Sequence, residues 1–169
     1  MKIHNGMRPH DIVVLLKIAT KGIQSWYMKD LSSELEISAS EISESINRSY
    51  ISGLLLADKK TINKNGLLNF LEFGIKYVFP IQPGARVKGV GTAHNAIPLY
   101  NKISGVGQYV WKSKEGNIEG EIIKPLHPKV PIACLKDEKL YELIALVDTI
   151  RIGDEQQKNS AMNILREIV

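Results

Sequence analysis

Residues 28–55 read MKDLSSELEISASEISESINRSYISGLL, and the spacing within this run decides the fold. Met28, Leu31 and Leu35 recur at helical spacing, and after a short break Ile42 and Ile46 do the same. Ser38 and Glu41 stand three residues apart in that break. At that spacing a serine hydroxyl takes the N–H three residues on, while the glutamate reaches back to the start of the helix. Two short helices with a tight turn between them follow, the second running from Ala39 to about Ser52. Helices joined so closely need a small residue in the first, an apolar residue in the turn and apolar residues inside the second; Ser32, Ile37, Ile42 and Ile46 supply them. The outward face of the second helix is then polar: Ser40, Glu41, Ser43, Glu44, Asn47 and Arg48.

Upstream, a first helix is expected over residues 9–21. Pro9 suits its first turn, Asp11 its positive end, and Gly22 closes it. Residues 23–26 read as an extended link. Downstream, residues 54–62 suggest a strand, a turn with Asp58, Lys59 and Lys60 at its tip, and a second strand. A fourth helix over residues 65–77 would bury Leu68, Leu71 and Ile75.

This arrangement resembles the winged helix-turn-helix regulators of the MarR and ArsR type over about residues 8–63. The resemblance rests on Leu31, Leu35, Ile37, Ser38, Ser40, Ile42, Ser43, Ser45, Ile46 and Arg48, followed by Gly53 and Leu54. It implies that the helix from Ala39 is a recognition helix placed in a DNA major groove. Ser40, Ser43, Glu44, Asn47 and Arg48 would then be base and phosphate contacts, with Ser38 at the helix start. The remainder, including EFGIKYVFP (residues 72–80) and GVGTAHNAIPL (residues 89–99), resembles uncharacterised bacterial helix-turn-helix proteins, some of them antitoxin-like.

Two features depart from the regulator pattern. Glu36 stands in the turn where that family usually has glycine, so a left-handed backbone there would carry a strain of ~1 kcal/mol. Charge is the second: residues 28–55 hold two basic residues (Lys29, Arg48) against five acidic ones (Asp30, Glu34, Glu36, Glu41, Glu44), a net of −3. Acids repel phosphate, although Glu44 would accept a hydrogen bond from a cytosine amine. The compensating charge lies downstream, where Lys59, Lys60, Lys64, Lys76, Arg86 and Lys88 oppose only Glu72 over residues 59–88. A wing and loop carrying Lys59, Lys60, Lys64, Arg86 and Lys88 would hold the DNA backbone while the helix reads bases.

Further along, residues 86–98 are rich in glycine and small side chains and suggest no regular structure. Residues 89–95 lack the glycine spacing and terminal Lys-Ser/Thr of a phosphate-binding loop, so a packed loop is expected. Residues 106–123 suggest a β-hairpin with Lys114 to Asn117 as its turn. Pro125, Pro128 and Pro131 suggest a stiff connector. Two helices close the chain, capped by Asp137 and Asp154, and their stripes (Leu140, Leu143, Ile144 and Val147; Ala161, Ile164, Leu165 and Ile168) offer a surface for a second copy. The fold class is therefore α+β, mainly α: residues 1–80 a winged helix-turn-helix, 81–136 a loop-rich and hairpin region, 137–169 a helical pair.

Chemistry points away from catalysis. His4, His10, His94 and His127 are scattered, with no cluster at metal-ligand spacing. The lone Cys134 sits among apolar neighbours, which predicts a buried thiol and a reducing compartment. Residues 1–9 have no apolar core and no apolar run is long enough to span a bilayer. The expected function is a cytoplasmic, dimeric, repressor-like regulator that binds double-stranded DNA, without enzyme activity, metal or cofactor. The alternative is a protein-docking module, such as the antitoxin of a toxin–antitoxin pair, that uses the winged helix for its partner.

Overall fold

The computed structural model describes residues 5–169, so the expectations for His4 and for a leader in the first residues lie outside it. The chain is α+β and mainly helical, with a small three-stranded sheet. Helix α1 (Pro9–Lys21) starts as its sequence requires, with proline in the first turn and the Asp11 carboxylate accepting the Arg8 N–H at 2.8 Å. Helices α2 (Met28–Leu35) and α3 (Ala39–Ile51) follow. Glu36 between them is left-handed, with φ of 54°. The turn is closed twice by Ser32: its carbonyl takes the Ile37 N–H at 3.2 Å and its hydroxyl donates to the Ile37 carbonyl at 2.6 Å. Ser38 caps α3 by accepting the Glu41 N–H, while Glu41 reaches back to the Ser38 hydroxyl at 3.0 Å.

After α3 the strand–turn–strand is minimal. A single bridge pairs Leu55 with Ile62, flanked by Leu56 N–H to Thr61 C=O and Asn63 N–H to Leu54 C=O. The expected fourth helix is two pieces, α4 (Lys64–Phe73) and α5 (Ile75–Val78), divided at Gly74. It begins a residue early because Asn63 caps it, accepting the Gly66 N–H at 3.1 Å. Leu67, Leu71 and Ile75 are the buried side chains, and Leu68 is half-buried.

The middle of the chain departs most from expectation. Residues 86–98 contain a strand, β1 (Arg86–Thr92), followed by two short 3₁₀ turns (Ala93–Asn95 and Ile97–Leu99). Strands β2 (Tyr109–Lys112) and β3 (Ile118–Ile122) are not a hairpin. Each pairs antiparallel with β1, β2 along Gly89 to Thr92 and β3 along Arg86 to Gly89. The two pair with each other in parallel, Tyr109 beside Glu121 and Val110 beside Ile122, which closes a miniature barrel. Glycines make this possible. A Cβ on Gly89 would lie 2.1 Å from the Trp111 carbonyl oxygen, and one on Gly116 would lie 1.8 Å from the Gly89 carbonyl carbon. The run read as a hairpin turn is instead a crossover pressed onto β1.

Residues expected as a proline connector also form a helix, α6 (Val130–Lys136), with Pro131 in its first turn, where a missing N–H costs nothing. Helices α7 (Glu138–Ile152) and α8 (Glu155–Ile168) carry the expected caps, Asp137 to Leu140 at 3.1 Å and Asp154 to Gln157 at 2.8 Å. Their stripes turn mostly inward, with Ile168 at the end of α8 left exposed. Helix α7 packs against α1, α4, α5, α6, α8, β1 and both 3₁₀ turns, and Leu143 and Leu165 are 4% and 0% exposed. Most of the apolar stripe expected to await a second copy is buried inside the chain. A single hydrophobic cluster draws on all three segments named above.

The barrel is fastened to α7 through a buried carboxylate. Asp148 accepts the Thr92 hydroxyl at 2.9 Å, the Trp111 indole N–H at 2.8 Å and Arg151 at 2.8 Å. Arg151 donates in turn to the Phe79 carbonyl at 2.9 Å, tying in the end of α5. Burial raises the Asp148 pKa, and these three donors oppose the shift. Cys134 is buried, and burial pushes its thiol well above the ordinary range. No helix of the described residues is long and apolar enough to cross a membrane.

Candidate nucleic-acid interface

The polar face of α3 and the turn that follows it meet at a groove of about 450 Å³, lined by Ser43, Ile46, Asn47, Lys59, Lys60 and the start of α2. Helical geometry explains which α3 side chains reach it. With Ile42, Ser45, Ile46 and Ser49 turned inward, a rotation of 100° per residue puts Ser40, Ser43, Glu44 and Asn47 on the far side. Ser38, Ser40 and Ser43 are exposed; Glu44 and Asn47 are half-buried.

Arg48 is the exception and corrects the sequence reading. It lies at the flank of α3, is only 8% exposed, and is engaged by Asp11 of α1 at 2.7 and 2.9 Å. His10 completes the cluster, its Nε2 3.2 Å from the Arg48 guanidinium. Asp11 is fully buried, and a buried carboxylate draws in a cation. The sequence disclosed Asp11 only as a favourable residue at a helix start, so the long-range pairing was invisible.

The turn supplies the cations. Asp58 organises it, accepting the Lys60 and Thr61 N–H groups and the Thr61 hydroxyl. Those hydrogen bonds, the hydroxyl's foremost, hold its carboxyl down at about 2. Lys59, left-handed at φ 55°, lies 4.8 Å above the Tyr50 ring and 3.4 Å from the Asn47 side-chain oxygen. Lys60 sits 5.9 and 5.7 Å from the rings of Trp26 and Tyr27, and Lys29 sits 5.7 Å from Tyr27 on its other approach. Lysines resting on aromatic faces are held near the groove while keeping their charge. Tyr27 and Tyr50 were not anticipated, because aromatic spacing reads first as core; yet Tyr27 is 62% exposed.

The acidic balance of this region is resolved by partners from elsewhere. Glu34 is bound by Lys17 and Lys21 of α1. Glu36 is bound by Lys136 at 2.9 Å and Lys129 at 3.2 Å, and those hydrogen bonds, Lys136's first, hold its carboxyl below the ordinary range. Asp30 accepts the Tyr27 N–H at the start of α2. Glu34 and Glu36 are therefore paired with lysines from outside this run, and Asp30 and Glu41 are engaged at helix starts.

Lys64, Arg86 and Lys88 are brought elsewhere. Lys64 opens α4 and borders a different groove, together with Lys60. Arg86 and Lys88 lie on β1 opposite Glu121 and Glu119 of β3, and Arg86 donates to the Glu119 carbonyl. Both are exposed on the barrel and are not among the residues lining the α3 groove. Residues 89–95 form the end of β1 and a buried 3₁₀ turn rather than a ligand loop. No group of three or more potential metal ligands occurs among the described residues. Neither a family model, nor a curated protein, nor a solved structure matches the chain.

Proposed function

We propose that this protein is a sequence-specific, double-stranded DNA-binding transcriptional regulator of the repressor type, with residues 8–63 acting as a winged helix-turn-helix. In this reading α3 enters the major groove, Ser40, Ser43 and Asn47 face base edges, and the turn carrying Lys59 and Lys60 is a short wing on the phosphate backbone. The observation that carries it is the convergence of Lys59 and Lys60 on the exposed edge of α3, with the neighbouring acids Glu34 and Glu36 neutralised by other lysines. A cytoplasmic homodimer on paired half-sites is part of the proposal, with a contact surface that does not include Leu143 or Leu165.

Fluorescence anisotropy with a labelled duplex from the region upstream of the gene, against a scrambled duplex, tests it. The upstream duplex binds more tightly, and affinity falls steeply between low and physiological salt. Lys59→Ala with Lys60→Ala reduces the salt slope by about 1 per lysine on both duplexes. A folded protein that binds neither duplex at low salt refutes the proposal.

A further inference from the structure

A second groove, of about 690 Å³, lies between the C-terminal end of α1, residues 23–26 and the arm of the turn. Ile18, Ala19, Ile62 and Ile168 give it apolar lining, and Lys60 and Lys64 supply its cations. Asp58 also borders it, but its carboxylate is taken up by the turn's own N–H groups and the Thr61 hydroxyl. The groove has the size of a small-molecule site, with an apolar wall and two cations to orient one end of a ligand. Trp26, Asp58 and Lys60 line this groove and the α3 groove alike, so the two sites share a wall.

We propose that this groove binds an amphipathic organic anion, an aliphatic carboxylate with its tail on the apolar wall and its headgroup on Lys60 and Lys64. Lys60 is the pivot. Its ammonium rests over the Trp26 and Tyr27 rings, on the α3 side of the shared wall. One ammonium cannot serve a ligand carboxylate and a DNA phosphate at once. Occupancy therefore withdraws one cation from the DNA face, and the ligand acts as an inducer. The ligand site stands on its own geometry; the regulatory half rests on the DNA-binding reading.

The experiment titrates the full chain with decanoate, using decanol as the uncharged control, and follows tryptophan fluorescence without DNA. Trp26 borders the groove whereas Trp111 is fully buried in the barrel, so the signal belongs to Trp26 and disappears in Trp26→Phe. The expected result is a saturable change with decanoate, none with decanol, and binding at least fivefold weaker in Lys60→Gln/Lys64→Gln. Ala19→Phe, which fills the groove from α1, abolishes it while the circular dichroism spectrum is kept. No saturable change, equal binding of decanol, or undiminished binding in the double variant overturns the site. In the second arm, saturating decanoate lowers the salt slope of duplex binding by about 1 in the wild type and leaves Lys60→Gln unchanged. Duplex binding that decanoate does not alter overturns the regulatory half. A chain that takes up decanoate but binds no duplex at low salt refutes the DNA reading and keeps the ligand site.

Discussion

Arg48 holds two oxygens of a carboxylate that no water reaches, and its nearest other neighbour is the ring of His10. Removing it leaves Asp11 buried and uncompensated. Arg48→Ala is therefore expected to lower the unfolding free energy by about 3–5 kcal/mol, measured by urea denaturation. A variant of wild-type stability that has lost DNA affinity would instead return Arg48 to the DNA face. The same cluster predicts a pH dependence. His10 and His127 meet edge to face at 5.8 Å, and burial lowers both pKa values below the ordinary 6.5, with Arg48 adding to the effect at His10. Below 6.5 the unfolded chain takes up these protons before the folded one does. Their contribution is thus complete above that pH and declines as pH falls toward the folded values. The charged groups around the pair are Asp11, Arg48, Glu41, Arg8 and Lys129. Unfolding free energy measured from pH 7.5 to 5 should fall on acidification in the wild type and fall less steeply in His10→Gln, where His127 remains. A wild-type profile flat over that range contradicts the assignment.

Elements divide by the range of the signals that specify them. Helices α1, α2, α3, α7 and α8 were legible because caps and apolar stripes act within a turn or two: Pro9, Ser38, Asp137 and Asp154 each mark a start that the structure keeps. Helix α6 was missed because three prolines read as a connector, although Pro131 is compatible with a first turn. The barrel was illegible for a deeper reason. Strand pairing between Gly89 and Lys112, or Arg86 and Glu121, is set by residues more than twenty positions apart, and nothing local marks it. What the sequence does contain is glycine where backbones cross. Gly89→Ala forces a methyl group to within 2.1 Å of the Trp111 oxygen, in a place where backbone must move. A loss of about 3 kcal/mol is expected by thermal or urea unfolding, at the upper limit of overpacking. A wild-type melting curve for Gly89→Ala would show that the β1–β2 contact is looser than described. On the candidate interface, Ser40, Ser43, Asn47, Lys59 and Lys60 followed from helical period and turn position. Arg86 and Lys88 stand instead on β1, a strand whose pairing with β3 nothing local marks.

At the scale of the whole molecule, α7 is the post around which the rest is assembled. Its residues from Leu143 through Arg151 are all buried, so it presents no free apolar face. Leu143→Asp and Leu165→Asp each place a charge in that interior without a partner, and both are expected to unfold the chain cooperatively, seen as loss of the circular dichroism signal. A well-folded monomer from either variant, set against a wild-type dimer by light scattering, would return these helices to an intermolecular role. The sequence by itself determined the helices with strong caps, the tight α2–α3 turn, the polar outer face of α3 and the burial of Cys134. Each of these follows from interactions within a few residues or from hydrophobic period. Tertiary structure alone decided that Arg48 turns to Asp11, that lysines 17, 21, 129 and 136 neutralise Glu34 and Glu36, that β2 and β3 run parallel, and that the C-terminal stripes close on their own core. A charge, a strand edge or an apolar stripe states that a partner is needed, but only the packed chain determines which distant residue arrives to meet it.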